Sequence, residues 1–238
     1  MASRQEKMTD LSKPTDRAKA DRILHDRIAG DLASKDRLPA QRYARQFRLF
    51  QTFENTKLHM ESILEIGCGA GFSAEYLKDK YITYKGIDHS AQLITAASEM
   101  HSISGVSFEV ADILTYEPDT QFDSAFMIGV LHHLEDPVGS LHRVTRFVRK
   151  GGYVLANEPQ PGNPLITWAR ALRKKTDGNY SSDQVEFTAT QLVDMFQEAG
   201  LINIAITPQG FFSTPFAEVA MPLQSIMTPF SRSACALD

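Results

Sequence analysis

The sequence predicts an α/β fold: a doubly wound, mostly parallel sheet with helices on both faces and an N-terminal helical cap. Three observations predict it. Between residues 62 and 159, five short β-rich runs alternate with helical stretches, the pattern of βαβ units. One of these runs, FDSAFMIG (122–129), is almost continuously apolar, as a strand covered on both faces must be. The helical stretches also end on strong stop signals, the clearest being Gly151-Gly152 after a basic turn. In such sheets crossovers are right-handed and ligands bind beyond the carboxyl ends of the strands.

Residues 1–20 are polar, contain Pro14 and show no periodicity, and are read as a mobile tail. The helical cap follows over residues 21–59. Apolar residues fall at helical spacing from Ala20 to Ile28 and again from Ala40 to Phe53, where Tyr43, Phe47, Phe50 and Phe53 recur. Pro39 suits the first turn of the second helix, because its missing N–H is one that a helix start leaves unpaired. The core is placed at 60–210. SILEIG (62–67) is its first strand, AGFSAEYLKDK (70–80) a helix and YITYKGID (81–88) the second strand. SAQLITAASEMHS (90–102) is a helix that Ser90 can cap, and VSFEVAD (106–112) alternates as a half-buried strand does. After FDSAFMIG comes DPVGSLHRVTRFVRK (136–150), a helix opened by Asp-Pro and closed by basic residues. GGYVLANEP (151–159) is the fifth strand. An insertion or lid bounded by Pro and Gly, 160–187, carries one short helix. TATQLVDMFQEAG (188–200) is a helix capped by Thr188 or Thr190, and LINIAITPQ (201–209) is read as a further strand. The remaining residues, 211–238, form a hydrophobic segment in which no strand is evident.

At 238 residues, with 42% hydrophobic and 23% charged residues and a mean hydropathy of −0.25, the chain has the make-up of a soluble globular protein. It is long enough to bury a core without staples. Composition excludes a collagenous or mostly disordered chain, and no apolar run reaches the ~18–20 residues of a membrane helix. The first thirty residues are charged throughout and lack the apolar run of a secretory signal. Cys68 and Cys235, the two cysteines, exclude a disulfide framework and a Cys-rich metal site. No metal is expected, and the expected setting is reducing and cytoplasmic. Charge is unevenly placed. Residues 1–60 hold 13 Lys/Arg against 8 Asp/Glu, the rest 12 against 21, within a net charge of −4. Opposite signs alternate at Asp16-Arg17, Asp21-Arg22, Asp26-Arg27 and Asp36-Arg37. The basic segment therefore reads as a solvated cap rather than a nucleic-acid patch, where like charges cluster.

The densest chemical signal is ILEIGCGAGFSAEYL (63–77), a strand that runs into Gly67-Cys68-Gly69-Ala70-Gly71 and straight on into a helix. Glycines are needed where the turn is tight and a ligand must approach backbone that a Cβ would shield. The dinucleotide fingerprint would place its third glycine three residues after the second. Here that position is Phe72, which argues against a nicotinamide dehydrogenase. With no pyrophosphate to seat, the acidic Glu65 is tolerable. Asp88 ends the second strand, where a carboxylate can accept hydrogen bonds from two neighbouring ribose hydroxyls. The alternative role, a helix cap, suits Ser90 better. Asp112 closes the third strand, in position to receive an adenine exocyclic amine. The fourth strand leads directly into Gly129-Val-Leu-His132-His133-Leu-Glu-Asp136-Pro137.

Taken in order, EIGCGAG, GIDHS, VADI and FDSAFMIGVLHHLEDP, with GGYVLANEP in its expected place, resemble the class I S-adenosylmethionine-dependent methyltransferases over about residues 60–208. The nearest likeness is to small-molecule enzymes of the ubiquinone/menaquinone and natural-product type. The resemblance implies a Rossmann-like methyltransferase sheet and S-adenosyl-L-methionine as cofactor. It implies that Gly67, Gly69 and Gly71, with Cys68 among them, line the methionine moiety, and that Asp88 takes the ribose. His89 and Leu93 would flank the adenine, Asp112 and Ile113 would bind its edge, and Met127 and Ile128 would lie near the sulfonium. Glu65 would order the loop and, through water, the cofactor's ammonium. A sulfonium methyl is already a good electrophile, so the protein mainly aligns the nucleophile for in-line displacement. His132 is the candidate base, because imidazole can take a proton from a hydroxyl, an amine or an activated carbon. Its alternative is to shape the pocket. His133, Glu158 and Tyr43 are further candidates, and the ordinary reading of Tyr43 is packing with Phe47 and Phe50.

The implied acceptor is a small molecule, hydrophobic or lipid-like. NPLITWARALRKK (163–175) puts Leu165, Trp168 and Leu172 on one helical face, with Arg170, Arg173, Lys174 and Lys175 around it. Such a helix serves as a lid over a pocket or as a peripheral membrane contact. FFSTPFAEVAMPLQSIMTPF (211–230) offers apolar surface to a hydrophobic substrate or a partner, a second copy of the chain included. The family's sheet ends on an antiparallel seventh strand. Either 211–220 hides it or it is missing, which leaves an edge to be covered. A nucleic-acid methyltransferase is disfavoured by the lack of an Asn-Pro-Pro-Tyr-like tetrapeptide and of a Cys-Pro pair, and by the acidic body. The alternative from another class is a non-catalytic methyltransferase-like subunit that binds the cofactor or only a partner.

Overall fold

A computed structural model of the chain describes residues 38–54, 56, 60–164, 185–210 and 224–237, together with Ile23, Asp26, Arg27 and Gly30. The expected tail (1–20), nearly all of the 163–175 helix, and 211–223, where a seventh strand was sought, lie outside the described residues.

Five strands, β1 (Met60–Ile66), β2 (Tyr81–Asp88), β3 (Val106–Val110), β4 (Phe122–Ile128) and β5 (Val148–Asn157), form one sheet in the order β3-β2-β1-β4-β5. Every pair is parallel. The chain winds outward from β1 to β3 and then crosses back to β4 on the other side of β1. The carboxyl ends of β1 and β4 are therefore the switch point where such sheets open a crevice.

Alternation along the strands makes two cores. Leu64, Ile66, Ile87, Ala125 and Met127 pack on one face against Leu141, Val144 and Phe147 of α4 (Pro137–Phe147) and Leu192, Met195 and Phe196 of α5 (Ala189–Glu198). Ile63, Tyr84 and Phe126 take the other face, against Leu49 of α1 (Pro39–Thr52) and Ala74 and Tyr76 of α2 (Phe72–Tyr76). The helix starts are satisfied by the expected side chains. Ser90 accepts from Leu93 N–H at 3.2 Å at the start of α3 (Ala91–Met100), and Asp136 accepts from Gly139 N–H at 2.8 Å. Thr188 and Gln191 form a reciprocal capping box, and a cap of this kind contributes about 1 kcal/mol.

Four elements differ from expectation. The helix expected over 70–80 is only Phe72–Tyr76, because the chain must return to β2 at Tyr81. The helix expected to reach residue 150 stops at Phe147, and β5 starts at Val148 with a break in register between Phe122 and Ser124. The run 201–209 forms no strand: Asn203 sits at φ +57°, which breaks an extended run, and Ile202 is 82% exposed. Among the described residues β5 pairs with β4 alone. Finally, α1 buries Ala40, Gln41, Ala44 and Leu49 and leaves Phe50 exposed. Tyr43 packs with Phe47, Ala44 and Cys235, beneath the Arg232 guanidinium 5.3 Å from its ring. Those last contacts come from α6 (Gln224–Cys235), whose Ser231 hydroxyl donates to Ala40 O at 3.1 Å. No helix among the described residues is long and apolar enough to cross a membrane.

Phe126 is fully buried and meets the Phe53 ring edge-on at 5.1 Å. Phe126→Ala should lower the unfolding free energy by about 3–5 kcal/mol in a denaturant titration. Ile202→Ala, at an exposed site, should change it by no more than about 0.5 kcal/mol.

Candidate functional site

Beyond the diverging ends of β1 and β4 lies a cavity of about 1400 Å³. Its floor is the glycine loop. Gly67 and Cys68 N–H both donate to Ile87 O, at 2.8 and 3.1 Å, and Gly71 N–H closes the turn on Cys68 O at 2.9 Å. Two of the glycines are needed for opposite reasons. Gly69, at φ +52°, faces open space: a Cβ there would meet no atom within 4 Å. Gly71, at φ +78°, faces the protein, and its Cβ would lie 2.6 Å from the Phe108 ring. The His101 imidazole holds the loop from below, Nε2 donating to Ala70 O at 3.0 Å.

Asp88 clasps this loop to the next helix. Its Oδ2 accepts from Gly69 N–H and its Oδ1 from Ser90 N–H, both at 2.9 Å. A carboxylate has about four acceptor positions, so each oxygen keeps capacity for a ligand.

Glu65 is buried in the cavity wall. Ser73 O–H donates to its Oε1 at 2.7 Å and Tyr84 O–H to its Oε2. Burial pushes the Glu65 carboxyl up to about 8; the two hydroxyl donors pull the other way, and the Asp88 charge adds to the rise. Burial also pushes the Cys68 thiol well above its ordinary value, which keeps it neutral and poorly nucleophilic.

The third acid, Glu158, follows β5 and is fully buried. Its Oε1 accepts from Val130 and Leu131 N–H at 2.9 and 2.8 Å, and its Oε2 lies 2.8 Å from His132 Nδ1. This pairing turns His132 inward.

Glu65, Gly67, Cys68, Gly69, Asp88, His89, Leu93, Asp112, Ile113 and Ile128 all line the cavity. Three of the sequence-predicted residues do not. Gly71 turns toward Phe108, Met127 is fully buried in the core under α4, and His132 is buried against Glu158. The single turn of 3₁₀ helix at Leu131–His133 sets this phase and leaves His133, stacked on His132 at 4.1 Å, on the wall. Asp112 is exposed, two residues past the end of β3, and accepts from Leu114 N–H at 2.9 Å. Tyr43 is not on the wall, whereas Glu158 is. Sequence reasoning missed Arg45, Arg48 and Thr52, which α1 turns toward the cavity. Their i, i+3, i+7 spacing was the available signal. No group of metal-ligating side chains occurs among the described residues.

The folded chain holds the Glu65 proton to about pH 8, an unfolded one only to the ordinary value of 4.5. The stability this protonation contributes is fully present below 4.5 and is lost as pH rises through about 8. The melting temperature should therefore fall between about pH 5 and 8, and Glu65→Gln should flatten that part of the profile. Equal slopes in the two proteins would refute the assignment.

Comparison with known proteins agrees with this geometry. A family model for a methyltransferase domain matches residues 64–156. The fatty-acid O-methyltransferase of Mycolicibacterium smegmatis is 33% identical over 113 residues, 46% of this chain and 41% of that protein. A ubiquinone biosynthesis O-methyltransferase of Pseudomonas fluorescens is 32% identical over 106 residues, 42% of this chain and 45% of that protein. The chain thus spans less than half the length of these curated relatives. Among solved structures, the DhpI-SAM-HEP complex superposes with a TM-score of 0.61 at 18% identity, covering 79% of this chain and 91% of that one. N-methyltransferase NodS of Bradyrhizobium japonicum, in complex with S-adenosyl-l-homocysteine, gives 0.51 at 21% identity, covering 68% and 76%. At these identities the structural likeness speaks for the fold alone. Over residues 64–156 the chain is thus similar to a methyltransferase domain, and its parallel sheet shares the fold of these solved structures.

Proposed function

We propose that the chain transfers a methyl group from S-adenosyl-L-methionine to a small-molecule acceptor, with both held in the 1400 Å³ cavity. The observation that carries this reading is Gly69 beside Asp88: backbone open to a ligand, next to a carboxylate with acceptor capacity to spare. The residues present fit the cofactor. The space a Cβ at Gly69 would enter admits its methionine portion, Asp88 can receive ribose hydroxyls, and the Glu65 carboxyl, protonated to about pH 8 in the folded chain, would become the anionic partner of an ammonium group on losing that proton. His89, Leu93, Asp112 and Ile113 line the cavity where an adenine would rest. When bound, S-adenosylmethionine supplies an electrophilic methyl, and placement is the protein's main task.

His133 faces the cavity and is the residue we assign to proton removal. His132 and Glu158 brace the turn that presents it. Leu134, Leu192 and Phe196 give the cavity apolar walls, which suits a hydrophobic acceptor, and the names of the fatty-acid and ubiquinone relatives support the same class. Both cysteines are buried and free, as suits a reducing, cytoplasmic setting.

Calorimetry with S-adenosylhomocysteine tests the reading: one site per chain is expected, and no detectable binding would sink it. Gly69→Val and Asp88→Ala should each weaken that binding by about tenfold or more, a 1.4 kcal/mol change. His133→Ala should leave it intact and slow turnover by about 10²-fold. A larger loss from His132→Ala, at unchanged melting temperature, would return the base role to His132.

A further inference from the structure

One buried hydroxyl on the cavity wall has nothing to bond. Ser140 lies in the opening turn of α4, lines the cavity and is 1% exposed. Its N–H donates to Asp136 O at 3.0 Å, but its Oγ has no hydrogen-bond partner among the described residues. A helical serine ordinarily satisfies its hydroxyl on the carbonyl four residues back or in solvent, and a buried one left with neither costs stability. The surroundings fix which end of the cavity this is. One turn further along α4, Arg143 donates from Nε to Ile113 O at 3.1 Å and from Nη2 to Tyr116 O at 3.0 Å, which holds the helix against the segment after β3. Ile113 also packs in one cluster with Leu141 and Val144 of α4. Asp112, Glu135 and Asp136 put carboxyl groups on the same cavity's wall. Asp112 Oδ1 accepts from Leu114 N–H at 2.9 Å, and Asp136 Oδ1 from Gly139 N–H at 2.8 Å.

The edge of an adenine alternates in character: its exocyclic amine donates, and the ring nitrogens beside that amine accept. An ionised carboxylate can serve the amine but not the nitrogens, which need a donor such as a hydroxyl. We infer that Ser140 is a cofactor-binding residue, its hydroxyl donating to N1 or N7 of the adenine whose amine Asp112 receives. Because the hydroxyl makes no bond in the ligand-free chain, it can turn about χ1 toward the ring without breaking one. The inference rests on the methyltransferase reading and deepens it, adding α4 to the elements that recognise the purine. The ligand-free protein is then less stable than it could be at this position, as sites kept for a ligand often are.

Ser140→Ala separates this role from packing. Deleting an unpartnered oxygen and placing alanine in a helix should leave the melting temperature of the ligand-free protein at or above that of the wild type. Calorimetry on the same variant should show S-adenosylhomocysteine bound about fivefold to tenfold more weakly, the loss of one hydrogen bond. Two analogues name the atom. The 1-deaza and 7-deaza forms of S-adenosylhomocysteine each replace one ring nitrogen by C–H. The form that lacks the accepting nitrogen should bind the wild type less tightly than the parent does, whereas Ser140→Ala should bind the two alike. A lower melting temperature for the ligand-free variant would reveal a structural partner and overturn the inference. Unchanged affinity for S-adenosylhomocysteine overturns it too, as does a variant that discriminates between parent and analogues just as the wild type does. If S-adenosylhomocysteine fails to bind the wild type, the methyltransferase reading falls on its own. Adenosine, which carries the same ring, is then titrated into both proteins: weaker binding to the variant keeps the Ser140 contact, and equal binding or none overturns it.

Discussion

One carboxylate has to hold two backbone N–H groups at once, and the site is arranged around that requirement. Asp88 reaches from the end of β2 to Gly69 in the loop after β1 and to Ser90 at the start of α3. The two strand ends and the helix start are thereby fixed relative to one another before any ligand arrives. The remaining acids repeat the device. Glu65 is held by Tyr84 and Ser73, and Glu158 gathers the N–H groups of the turn after β4. Each is buried, so each is costly unless its donors are in place. The cavity floor is therefore rigid for electrostatic reasons, which is how a protein limits reorganisation during a reaction.

Much of this was legible in the sequence. β2 runs from Tyr81 to Asp88 as its β-rich run implies, and Ser90 and Thr188 cap the helices they were expected to cap. Glycines, caps and strand patterns are local, and local chemistry decides them. The glycine-loop half of the cavity wall was legible for the same reason, since most of its residues lie on loops directly after strands. What escaped depends on phase or on distant partners. A single 3₁₀ turn decides between His132 and His133, and no pattern in GVLHHLEDP reveals it. Met127 lies in a strand buried on both faces, so alternation gives no contrast to show which residue faces the cavity. LINIAITPQ has the composition of a strand, yet a strand needs a ladder, and propensity cannot supply a neighbour.

The basic N-terminal residues show how a correct count can mislead about placement. Alternating signs suggested a solvated face, and part of α1 is one: Arg42 pairs with Glu75 outside the cavity. Arg45 and Arg48, one turn and two turns along, sit on the cavity wall instead. Charge per residue is a property of composition, whereas charge per face depends on which stripe the core selects. Here Ala40, Ala44 and Leu49 select it, not the phenylalanines.

The packing of α6 on α1 also has a consequence for the order in which the site is made. Ser231 and Ala40 are 191 residues apart, and their hydrogen bond joins α1, on the cavity wall, to α6, far along the chain. During synthesis the glycine loop, β2 and Asp88 emerge early and can close on one another while the ribosome is still at work. The Arg45–Thr52 wall waits for residues 224–235 before its outer side is covered. A nascent chain can thus close the glycine-loop side of the cavity well before the α1 side, and chaperones would meet a molecule whose two cavity walls mature on different clocks.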